Sequence, residues 1–409
     1  MYIKRTIENS INDAGEFFPV VLITGPRQVG KTTVFQNCGH GQRTYVSLDS
    51  LENRRAAQQD PRDFLMRYPA PVLIDEIQYA PELLPYIKAI VDEEKKNGAY
   101  WITGSQQFEL MKNVTESLAG RVGILNLQGL SQAEKNGSPE QPPFLPTREY
   151  LKSKSADEKQ SPIKPIKKVF ETIWKGSYPK LFTDGGRRWG MFYSAYVKTY
   201  IERDVRQLKA VQNELDFMKF MTALAARTGQ LLNYSDLSKD VGVVINTIRA
   251  WFSVLQASGL IYILQPYSNN LTSRVVKTPK VYFMDTGLAC YLTRWNTAEA
   301  LEAGAFAGAI FETYAVSEII KSYWHNGKEP AIYFFRDKDG KEVDVILEEN
   351  GKLYPAEIKK RSNPDKTDIA VFSTLKRLGK ETGDGGVICS APTYLPLSEN
   401  TFAIPIDYL

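Results

Sequence analysis

The N-terminal third of the 409-residue chain predicts an α/β fold built on a doubly wound parallel sheet. Pro19 to Thr24 form a continuous apolar run rich in β-branched residues, and a glycine-rich loop follows at once. Two further apolar runs, Pro71 to Ile74 and Tyr100 to Thr103, each lead into polar residues. Strands buried on both faces of a parallel sheet have this pattern, because helices cover both sides. Tyr45 to Asp49 is predicted as another strand of this sheet.

The composition is that of a globular protein and excludes several classes. Hydrophobic residues make up 43% and charged residues 24%, which excludes a disordered chain, a collagen and a coiled-coil rod. The net charge of +4 does not by itself indicate a nucleic-acid partner. Three widely spaced cysteines exclude a zinc ribbon or a disulfide framework, and two histidines exclude a tri-histidine metal site. No apolar run is long enough for a membrane helix, so we expect a cytoplasmic protein without a membrane partner.

The loop after the first strand has the spacing of a phosphate-binding motif. It reads Gly25-Pro26-Arg27-Gln28-Val29-Gly30-Lys31-Thr32, with Thr33 next, and so matches G-x-x-x-x-G-K-[ST]. Its glycines let backbone N–H groups turn toward phosphates, and the positive end of the following helix points at them. Lys31 adds a cation at the β- and γ-phosphates, and the Thr32 hydroxyl ligates magnesium. Residues 25–33 are therefore predicted to bind ATP and Mg²⁺; the alternative is a chance glycine-rich turn.

Asp75 and Glu76 end the second strand and resemble a Walker B motif. In this arrangement Asp75 orders the magnesium shell and Glu76 polarises the attacking water. An acidic pair is also common where a strand meets solvent, and only the phosphate loop favours the catalytic interpretation. Glu76 predicts hydrolysis of the nucleotide rather than binding alone.

Two further catalytic candidates follow the third strand. Ser105, with Gln106 beside it, stands where ATPases with a phosphate loop carry a polar sensor residue that reads the γ-phosphate; the alternative is an ordinary turn. Arg121, in Ser117 to Arg121, is a candidate arginine finger, which accelerates phosphoryl transfer about 10³–10⁵-fold when it reaches the transition state. The alternative for Arg121 is an ion pair with a surface carboxylate.

The middle of the chain changes character. From Ser131 to Lys168, six prolines lie among charged residues without a hydrophobic period, which predicts a loop or flexible excursion. Helical periodicity returns at Val169 to Trp174 and from Trp189 to Leu208. Tyr234 to Gly259 then predicts a helix–turn–helix with its turn at Gly242.

Within this helix–turn–helix, six apolar residues recur at three- and four-residue steps and are predicted to form its core. They are Leu237, Val241, Val244, Ile248, Phe252 and Leu255. The second helix would present Asn246, Thr247 and Arg249 outward, and a strand beginning at Leu260 would start a wing. Such a winged helix docks DNA or packs against a protein. Arg274, Lys277 and Lys280 around the wing would contact phosphates or form a solvated face.

The C-terminal part has the pattern of a nuclease core. Glu312 lies in the apolar helix Phe306 to Ile320, Asp344 lies in an alternating strand, and Glu357 and Lys359 share one face of the next strand. A hairpin turn at residues 349–351 would bring Asp344 beside them. These carboxylates predict a magnesium site with the lysine next to it, as metal-assisted phosphodiester hydrolysis requires. The alternative is the charge alternation of any half-exposed strand.

With these motifs the chain resembles the prokaryotic AAA-type P-loop ATPases whose C-terminal half is a domain of unknown function. Beyond the Walker segments, the resemblance rests on Gly176 to Pro179, Tyr200 to Arg206, Leu231 to Tyr234 and Lys277 to Leu288. It implies a P-loop NTPase sheet, a helical and winged-helix segment, and a small α/β domain similar to restriction endonucleases and other PD-(D/E)xK nucleases. Val343 stands where that pattern has proline.

We therefore expect four domains and an ATPase coupled to DNA. The AAA-type domain would span 1–130, the proline-rich excursion and helical lid 131–210, the winged helix 211–300 and the nuclease-like domain 301–409. ATP and Mg²⁺ are the expected cofactors, and DNA is the expected partner. One alternative is a signalling switch that binds a protein partner and keeps an inactive nuclease-like scaffold. Another is a motor that remodels nucleic acid without cutting it; the sequence leaves the oligomeric state open.

Overall fold

The computed structural model describes residues 2–39, 41–104, 114, 116–157, 164–200, 213–268 and 278–409. The chain divides into two units, each of which is described here by itself. Unit 1 comprises Met1–Gln141, Ala257–Leu260 and Trp324–Lys328. Unit 2 comprises Pro142–Gln256, Ile261–Tyr323 and Glu329–Leu409.

Unit 1 contains a five-stranded parallel sheet, as predicted. Its strands are β1 (Val20–Thr24), β2 (Thr44–Ser47), β3 (Val72–Asp75), β4 (Tyr100–Thr103) and β5 (Val122–Asn126). The strand order is β2-β3-β4-β1-β5, and every neighbouring pair is parallel. All the carboxyl ends therefore lie at one edge of the sheet, where ligands bind in open α/β folds.

In the described part of unit 1, the helices bury apolar side chains, except for the short last one. They are α1 (Ile7–Phe17), α2 (Lys31–Cys38), α3 (Leu51–Gln59), α4 (Pro61–Arg67), α5 (Leu83–Glu94) and α6 (Gln132–Lys135). Caps fix where several of them begin. The Ser50 side chain accepts a hydrogen bond from the N–H of Asn53 at the start of α3, and Ser131 and Glu134 form a capping box at α6.

Unit 2 begins with helices that the proline-rich composition concealed. Its helices are α7 (Arg148–Asp157), α8 (Ile166–Lys175), α9 (Pro179–Thr183), α10 (Trp189–Tyr200), α11 (Glu214–Ala225), α12 (Tyr234–Val241), α13 (Ile245–Ala257), α14 (Thr286–Leu292), α15 (Ala298–Ala303) and α16 (Ala307–Trp324). The prediction of an unstructured excursion is therefore wrong at α7. Only two buried apolar side chains anchor this helix, Tyr150 and Leu151, and the Tyr150 hydroxyl donates to the carbonyl of Tyr408 at 2.7 Å.

The helix–turn–helix lies where it was predicted. Helices α12 and α13 flank Gly242, whose φ of 82° permits the tight turn between them. Five of the six predicted core residues are buried, but Val244 is 69% exposed. It lies in the turn, before α13 begins, where the helical period does not apply.

One eight-stranded sheet forms the rest of unit 2. Its strands are β6 (Ile261–Pro266), β7 (Lys280–Phe283), β8 (Ile332–Arg336), β9 (Glu342–Glu349), β10 (Lys352–Ile358), β11 (Gly385–Cys389), β12 (Leu395–Pro396) and β13 (Thr401–Pro405). The order is β12-β13-β11-β10-β9-β8-β6-β7. The strands that follow the helix–turn–helix thus share a sheet with the C-terminal strands, and the division of the chain into four domains stays a prediction.

The predicted β9–β10 hairpin is confirmed. The two strands are antiparallel, with Lys352 opposite Glu349 and Ala356 opposite Val345. Asn350 and Gly351 between them both have positive φ, as a tight hairpin turn requires.

The buried Asp285 carboxylate connects two of the sequence segments on which the family resemblance rests, Gly176 to Pro179 and Lys277 to Leu288. Asp285 caps α14 by accepting from the N–H of Leu288, and it accepts from the Ser177 N–H and hydroxyl and from the Tyr193 hydroxyl. A Cβ at Gly176 would lie 2.2 Å from the Tyr193 hydroxyl. These residues therefore join α8, α10 and α14 through one fully hydrogen-bonded acid.

None of the helices in the described ranges combines the length and the apolar composition that a membrane span requires.

Candidate functional site

The phosphate loop leaves β1 at the carboxyl edge of the sheet and leads directly into α2. Gly25 and Gly30 have φ values of 144° and 96°, which favour glycine. A Cβ at Gly25 would lie 1.9 Å from the carbonyl oxygen of Leu127, so the loop passes too close to the chain after β5 for a side chain. Both positions therefore require glycine, and the phosphate-binding role of residues 25–33 stays a prediction.

Lys31 is the buried cation of this loop. Its side chain is 6% exposed, and Nζ donates to the carbonyl oxygens of Gly25 at 3.0 Å and Pro26 at 2.9 Å. Val29 is also buried, whereas Gln28 and Thr33 are exposed and Arg27 is half-buried. The loop thus holds its lysine against its own carbonyls and leaves the start of α2 partly open.

The Thr32 hydroxyl meets the Asp75 carboxylate at the end of β3. Thr32 Oγ1 donates to Asp75 Oδ1 at 2.7 Å, which joins the first turn of α2 to the neighbouring strand. Two residues that sequence reasoning missed complete the environment of this carboxylate. Thr103 Oγ1 donates to Asp75 Oδ1, and the Tyr45 hydroxyl donates to Oδ2 at 3.2 Å. Both residues lie in strands that the sequence predicts for the same parallel sheet. Their position in these strands was the signal by which they could have been found.

Glu76 follows Asp75 in a strained conformation. Its φ of 61° and ψ of 49° lie in the left-handed region, which non-glycine residues adopt at functional sites at a cost of about 1–3 kcal/mol. Its N–H donates to Thr103 Oγ1 at 3.1 Å, and its carboxylate accepts from Gln78 Nε2. Thr103 therefore forms hydrogen bonds to both members of the acidic pair.

The donor set at this edge fits magnesium bound together with a nucleotide. Mg²⁺ in such sites takes few protein ligands, with the rest of its octahedron completed by phosphate oxygens and water. A hydroxyl and a carboxylate 2.7 Å apart, directly after a phosphate loop, provide those few oxygen ligands.

Ser105 and Arg121 are the two remaining residues predicted for catalysis in this part of the chain. Ser105 lies outside the described residues, so its sensor role stays a prediction. Arg121 precedes β5 at the amino end of the sheet, where its carbonyl accepts from the N–H of Val20. The five residues of β5, at about 3.3 Å each, separate Arg121 from the carboxyl edge by roughly 16 Å.

Arg121 is instead engaged in an ion pair. Its Nε and Nη2 contact both carboxylate oxygens of Asp92, and Nη1 donates to the carbonyl of Ala119 at 2.9 Å. The alternative of a surface pair is therefore confirmed for Arg121 within its own chain. A finger role toward a second chain stays a prediction.

The C-terminal cluster brings Asp344, Glu357 and Lys359 together across the β9–β10 hairpin. Lys359 Nζ donates to Glu357 Oε2 at 2.8 Å and to Asp344 Oδ2 at 3.3 Å, and the N–H of Ile358 donates to Asp344 Oδ2 at 2.9 Å. The other oxygen of Glu357, Oε1, is buried without a hydrogen-bond partner. Burial and the neighbouring Asp344 raise the pKa of Glu357 to about 8, although the Lys359 ammonium acts in the opposite direction.

Glu312 contacts a different set of side chains. Its Oε1 accepts from the Tyr282 hydroxyl at 2.6 Å and from Lys280 Nζ at 3.1 Å, and Lys280 also pairs with Glu342 at 2.5 Å. Burial, then the charge of Asp344, raises the pKa of Glu312. The wing residue Lys280 is thus 4% exposed and buried among acids, so its predicted place on a phosphate-contacting or solvated surface is wrong. Its apolar neighbours in β7 had given no sign of this partner.

The fit of the C-terminal cluster to a metal ion is partial. In the described part of the chain, no three His, Cys, Asp or Glu side chains are arranged to hold a metal ion. Asp344 and Glu357 supply two carboxylates and one unpartnered oxygen, but Glu312 is held by Lys280 and Tyr282. The predicted three-carboxylate shell is therefore not assembled, because a buried lysine engages its third member.

The predicted DNA-reading residues are accessible on α13. Asn246 and Arg249 are exposed, Thr247 is half-buried, and the Arg249 guanidinium lies 5.6 Å from the centre of the Tyr234 ring. Arg274 and Lys277 lie outside the described residues.

The chain matches three family models. Residues 18–136 match an AAA domain, residues 166–299 match a domain of unknown function (DUF8612), and residues 307–409 match another domain of unknown function (DUF4143). The first match and the parallel sheet support a P-loop ATPase domain of the AAA type over residues 18–136.

Similar proteins cover most of the chain. Uncharacterized protein Rv2008c of Mycobacterium tuberculosis is 28% identical over 398 residues, which cover 96% of this chain and 81% of that protein. Mb2031c of Mycobacterium bovis matches to the same extent. Among solved structures, the Walker-type ATPase PABY2304 of Pyrococcus abyssi has a TM-score of 0.43 and 15% identity, covering 71% of this chain and 96% of that chain.

Proposed function

We propose that this protein binds ATP with Mg²⁺ at the phosphate loop, hydrolyses it, and couples the nucleotide state to DNA. The observation that carries the proposal is the contact of the Thr32 hydroxyl with the Asp75 carboxylate, 2.7 Å apart at the carboxyl edge of the sheet. The match of residues 18–136 to an AAA domain supports it.

The residues at the carboxyl edge of the parallel sheet have distinct roles in ATP binding. Backbone N–H groups of the loop and the start of α2 bind the phosphates, and Lys31 pairs with their negative charge. Thr32 and Asp75 hold Mg²⁺, which neutralises charge on the β- and γ-phosphates when bound. Thr103 and Tyr45 orient the Asp75 carboxylate by hydrogen bonds.

Glu76 accepts the proton of the attacking water. Its backbone is fixed by the hydrogen bond to Thr103, and its half-buried carboxylate lies directly beyond the metal ligand Asp75 in the chain. A carboxylate placed to receive this proton contributes about 10²–10⁴ in rate.

The elements that bind DNA in this proposal are helices α12 and α13. The second helix of a helix–turn–helix lies in the major groove, with residues near its N-terminus contacting bases. Asn246 and Arg249 occupy that part of α13 and are exposed. Asn and Arg are the side chains that pair bidentately with adenine and guanine.

A cytoplasmic location is part of the same proposal. Cys38, Cys290 and Cys389 are all unpaired. Burial raises the pKa of the Cys38 thiol to about 12 and that of Cys389 to about 11, so both stay protonated and unreactive at neutral pH. Unpaired thiols suit a reducing compartment.

The test is the ATP hydrolysis rate with and without duplex DNA. We expect DNA to raise the rate, and we expect Arg249→Ala to weaken this stimulation. Arg62→Ala, an exposed substitution on α4 of unit 1, should leave the stimulation intact. A salt series adds a measure of phosphate contacts, since each neutralised phosphate changes the log–log slope of binding by about 0.9. If the ATP hydrolysis rate rises with the square of the protein concentration, a catalytic group is supplied by another chain. An arginine-finger role for Arg121 requires this result.

A rate that is indifferent to DNA at every salt concentration would overturn the DNA part of the proposal. The protein would then be an ATP-dependent signalling switch that binds a protein partner and retains the C-terminal domain as an inactive scaffold. Hydrolysis itself is tested separately by the substitutions at Lys31 and Glu76.

The C-terminal cluster supports a second candidate function, metal-dependent phosphodiester hydrolysis. The observation that favours it is the buried, unpartnered Glu357 Oε1 beside Asp344 and Lys359. Asp344 and Glu357 would hold the divalent ion, which would supply an activated water when bound. The Lys359 ammonium would neutralise charge on the phosphate.

Plasmid DNA incubated with Mg²⁺ or Mn²⁺ tests this candidate. We expect cleavage by the native protein and at least about a hundredfold loss in Asp344→Ala and Glu357→Ala, which remove a carboxylate acting in general acid–base or metal chemistry. Glu349→Ala, at the exposed end of β9, is the matched control and should cut normally. Intact plasmid under both metals, with normal ATP hydrolysis, would leave this domain a binding module.

A further inference from the structure

Arg5 belongs to no motif in the sequence, yet it lies buried beside the phosphate loop. It is 4% exposed, and its guanidinium donates to three main-chain carbonyls. Nη1 reaches Val29 at 2.8 Å, and Nη2 reaches Gln128 at 2.8 Å and Gly129 at 3.3 Å. Arg5 therefore joins the phosphate loop to the segment that follows β5.

The contact with Val29 determines the direction of a hydrogen-bond donor in the loop. The Val29–Gly30 peptide is trans, so the Val29 carbonyl and the Gly30 N–H point in opposite directions. Because Arg5 binds that carbonyl, the Gly30 N–H is turned away from Arg5. In the phosphate-loop motif the N–H groups at this position face the phosphates. Gly30, with its positive φ, lacks the side chain that would restrict this rotation, so an external contact is needed to select one orientation.

Glu134 compensates the charge of Arg5. Its carboxylate is fully buried, pairs with Arg5 Nε at 3.0 Å, and accepts from the N–H groups of Thr6 at 2.9 Å and Ser131 at 2.8 Å. Burial opposes ionisation of Glu134, but Arg5 and His325 outweigh it and hold its pKa well below the usual range. Arg5 thus has a carboxylate partner in the capping box of α6.

His325 supports the same arrangement from another part of the chain. Its Nε2 accepts the N–H of Gln128 at 3.1 Å, and its Nδ1 lies 3.2 Å from Glu134 Oε1. A ring nitrogen that accepts carries no proton, so Nδ1 bears the hydrogen and faces the Glu134 carboxylate. Gln128 is therefore held at its N–H by His325 and at its carbonyl by Arg5.

We propose that Arg5 is a positioning residue of the nucleotide site: it orients the Val29–Gly30 peptide so that the Gly30 N–H faces the polyphosphate. Glu134 and His325 hold Arg5 and the Gln128 backbone in place. The inference rests on the proposed ATP-binding function and names the group that preorganises that site. In the described part of the chain, the guanidinium hydrogen bonds of Arg5 go to backbone carbonyls and its ion-pair partner is Glu134, so its effect on the ligand passes through the loop.

The experiment compares Arg5→Gln and Arg5→Lys with the native protein. We expect Arg5→Gln to raise the Kd for ATP–Mg²⁺ about tenfold, which corresponds to about 1.4 kcal/mol. KM should rise with it while kcat at saturating ATP changes by less than about twofold, since the loop N–H binds ground and transition states alike. Arg5→Lys keeps the positive charge beside Glu134 but lacks the planar guanidinium with its several donors. Its KM should therefore lie between those of the native protein and Arg5→Gln.

Arg43→Gln is the matched control. Arg43 also donates to a backbone carbonyl, that of Gly98 at 2.6 Å, but it precedes β2 at the opposite edge of the sheet. Its loss should lower Tm and leave Kd unchanged. All rates are taken well below the Tm of each variant, and if Arg5→Gln does not fold, Arg5→Lys carries the comparison.

Each outcome decides one question. Native protein that fails to bind ATP defeats the proposed function and this inference together. Native protein that binds ATP, with folded Arg5 variants of the same Kd and KM, defeats the inference alone. An equal rise of Kd in Arg43→Gln would also defeat it, because the effect would then be general loss of stability.

Discussion

Replacing Lys31 by alanine is expected to raise the Kd for ATP–Mg²⁺ at least about 30-fold, because truncating one partner of a buried charge pair costs about 2–5 kcal/mol. Lys31 is the buried cation of the phosphate loop, and its ammonium is held there by the carbonyls of Gly25 and Pro26. Alanine leaves the negative charge of the phosphates without this partner. Equilibrium binding of a fluorescent ATP analogue measures the change.

Lys96→Ala is the control for Lys31→Ala. Lys96 is exposed and precedes β4, at the edge of the sheet remote from the loop, so its removal should leave Kd unchanged. Circular dichroism and Tm establish that both variants are folded. An ATP affinity in folded Lys31→Ala equal to that of the native protein would remove the basis of the nucleotide-site assignment.

Replacing Glu76 by glutamine is expected to lower kcat by about 10²–10⁴, the contribution of a positioned general base. Glutamine keeps the size of the side chain and the backbone hydrogen bond to Thr103, but it cannot accept the proton of the attacking water. Thr32 and Asp75 are untouched, so ATP binding should be retained. Phosphate release under steady-state conditions measures kcat, and the binding assay measures Kd.

Glu93→Gln, an exposed substitution near the end of α5, is the matched control and should hydrolyse ATP at the native rate. Native kcat in Glu76→Gln would contradict the role of Glu76 as the base. A large loss of ATP affinity in this variant would instead indicate that Glu76 acts in binding. The Lys31 and Glu76 substitutions thus separate the binding of the nucleotide from its hydrolysis.

The phosphate loop was predictable because all its determinants are contiguous. Eight residues contain the glycines, the lysine and the threonine, and the apolar run before them predicts the strand from which they begin. The Asp75–Glu76 pair was predictable for the same reason. The hairpin that joins Asp344 to Glu357 is likewise local, because a short turn connects two adjacent strands.

Other features depended on strand order and on contacts distant in sequence. Arg121 seemed equally suited to catalysis and to a surface pair until its place at the amino end of β5 was known. Lys280 gave no sequence signal for its burial, because its carboxylate partners come from a helix and a strand that lie 32 or more positions further along the chain.

The sequence by itself determined the phosphate loop, the acidic pair, the parallel sheet, the helix–turn–helix and the C-terminal hairpin, since each depends on local periodicity and spacing. The tertiary structure decided that Thr103 and Tyr45 orient Asp75, that Arg5 contacts the loop, and that Lys280 holds Glu312. The physical reason is that hydrogen bonds and ion pairs act over about 3 Å of space, whatever the separation along the chain. Only the order of the strands and the packing of the helices determine which side chains come that close.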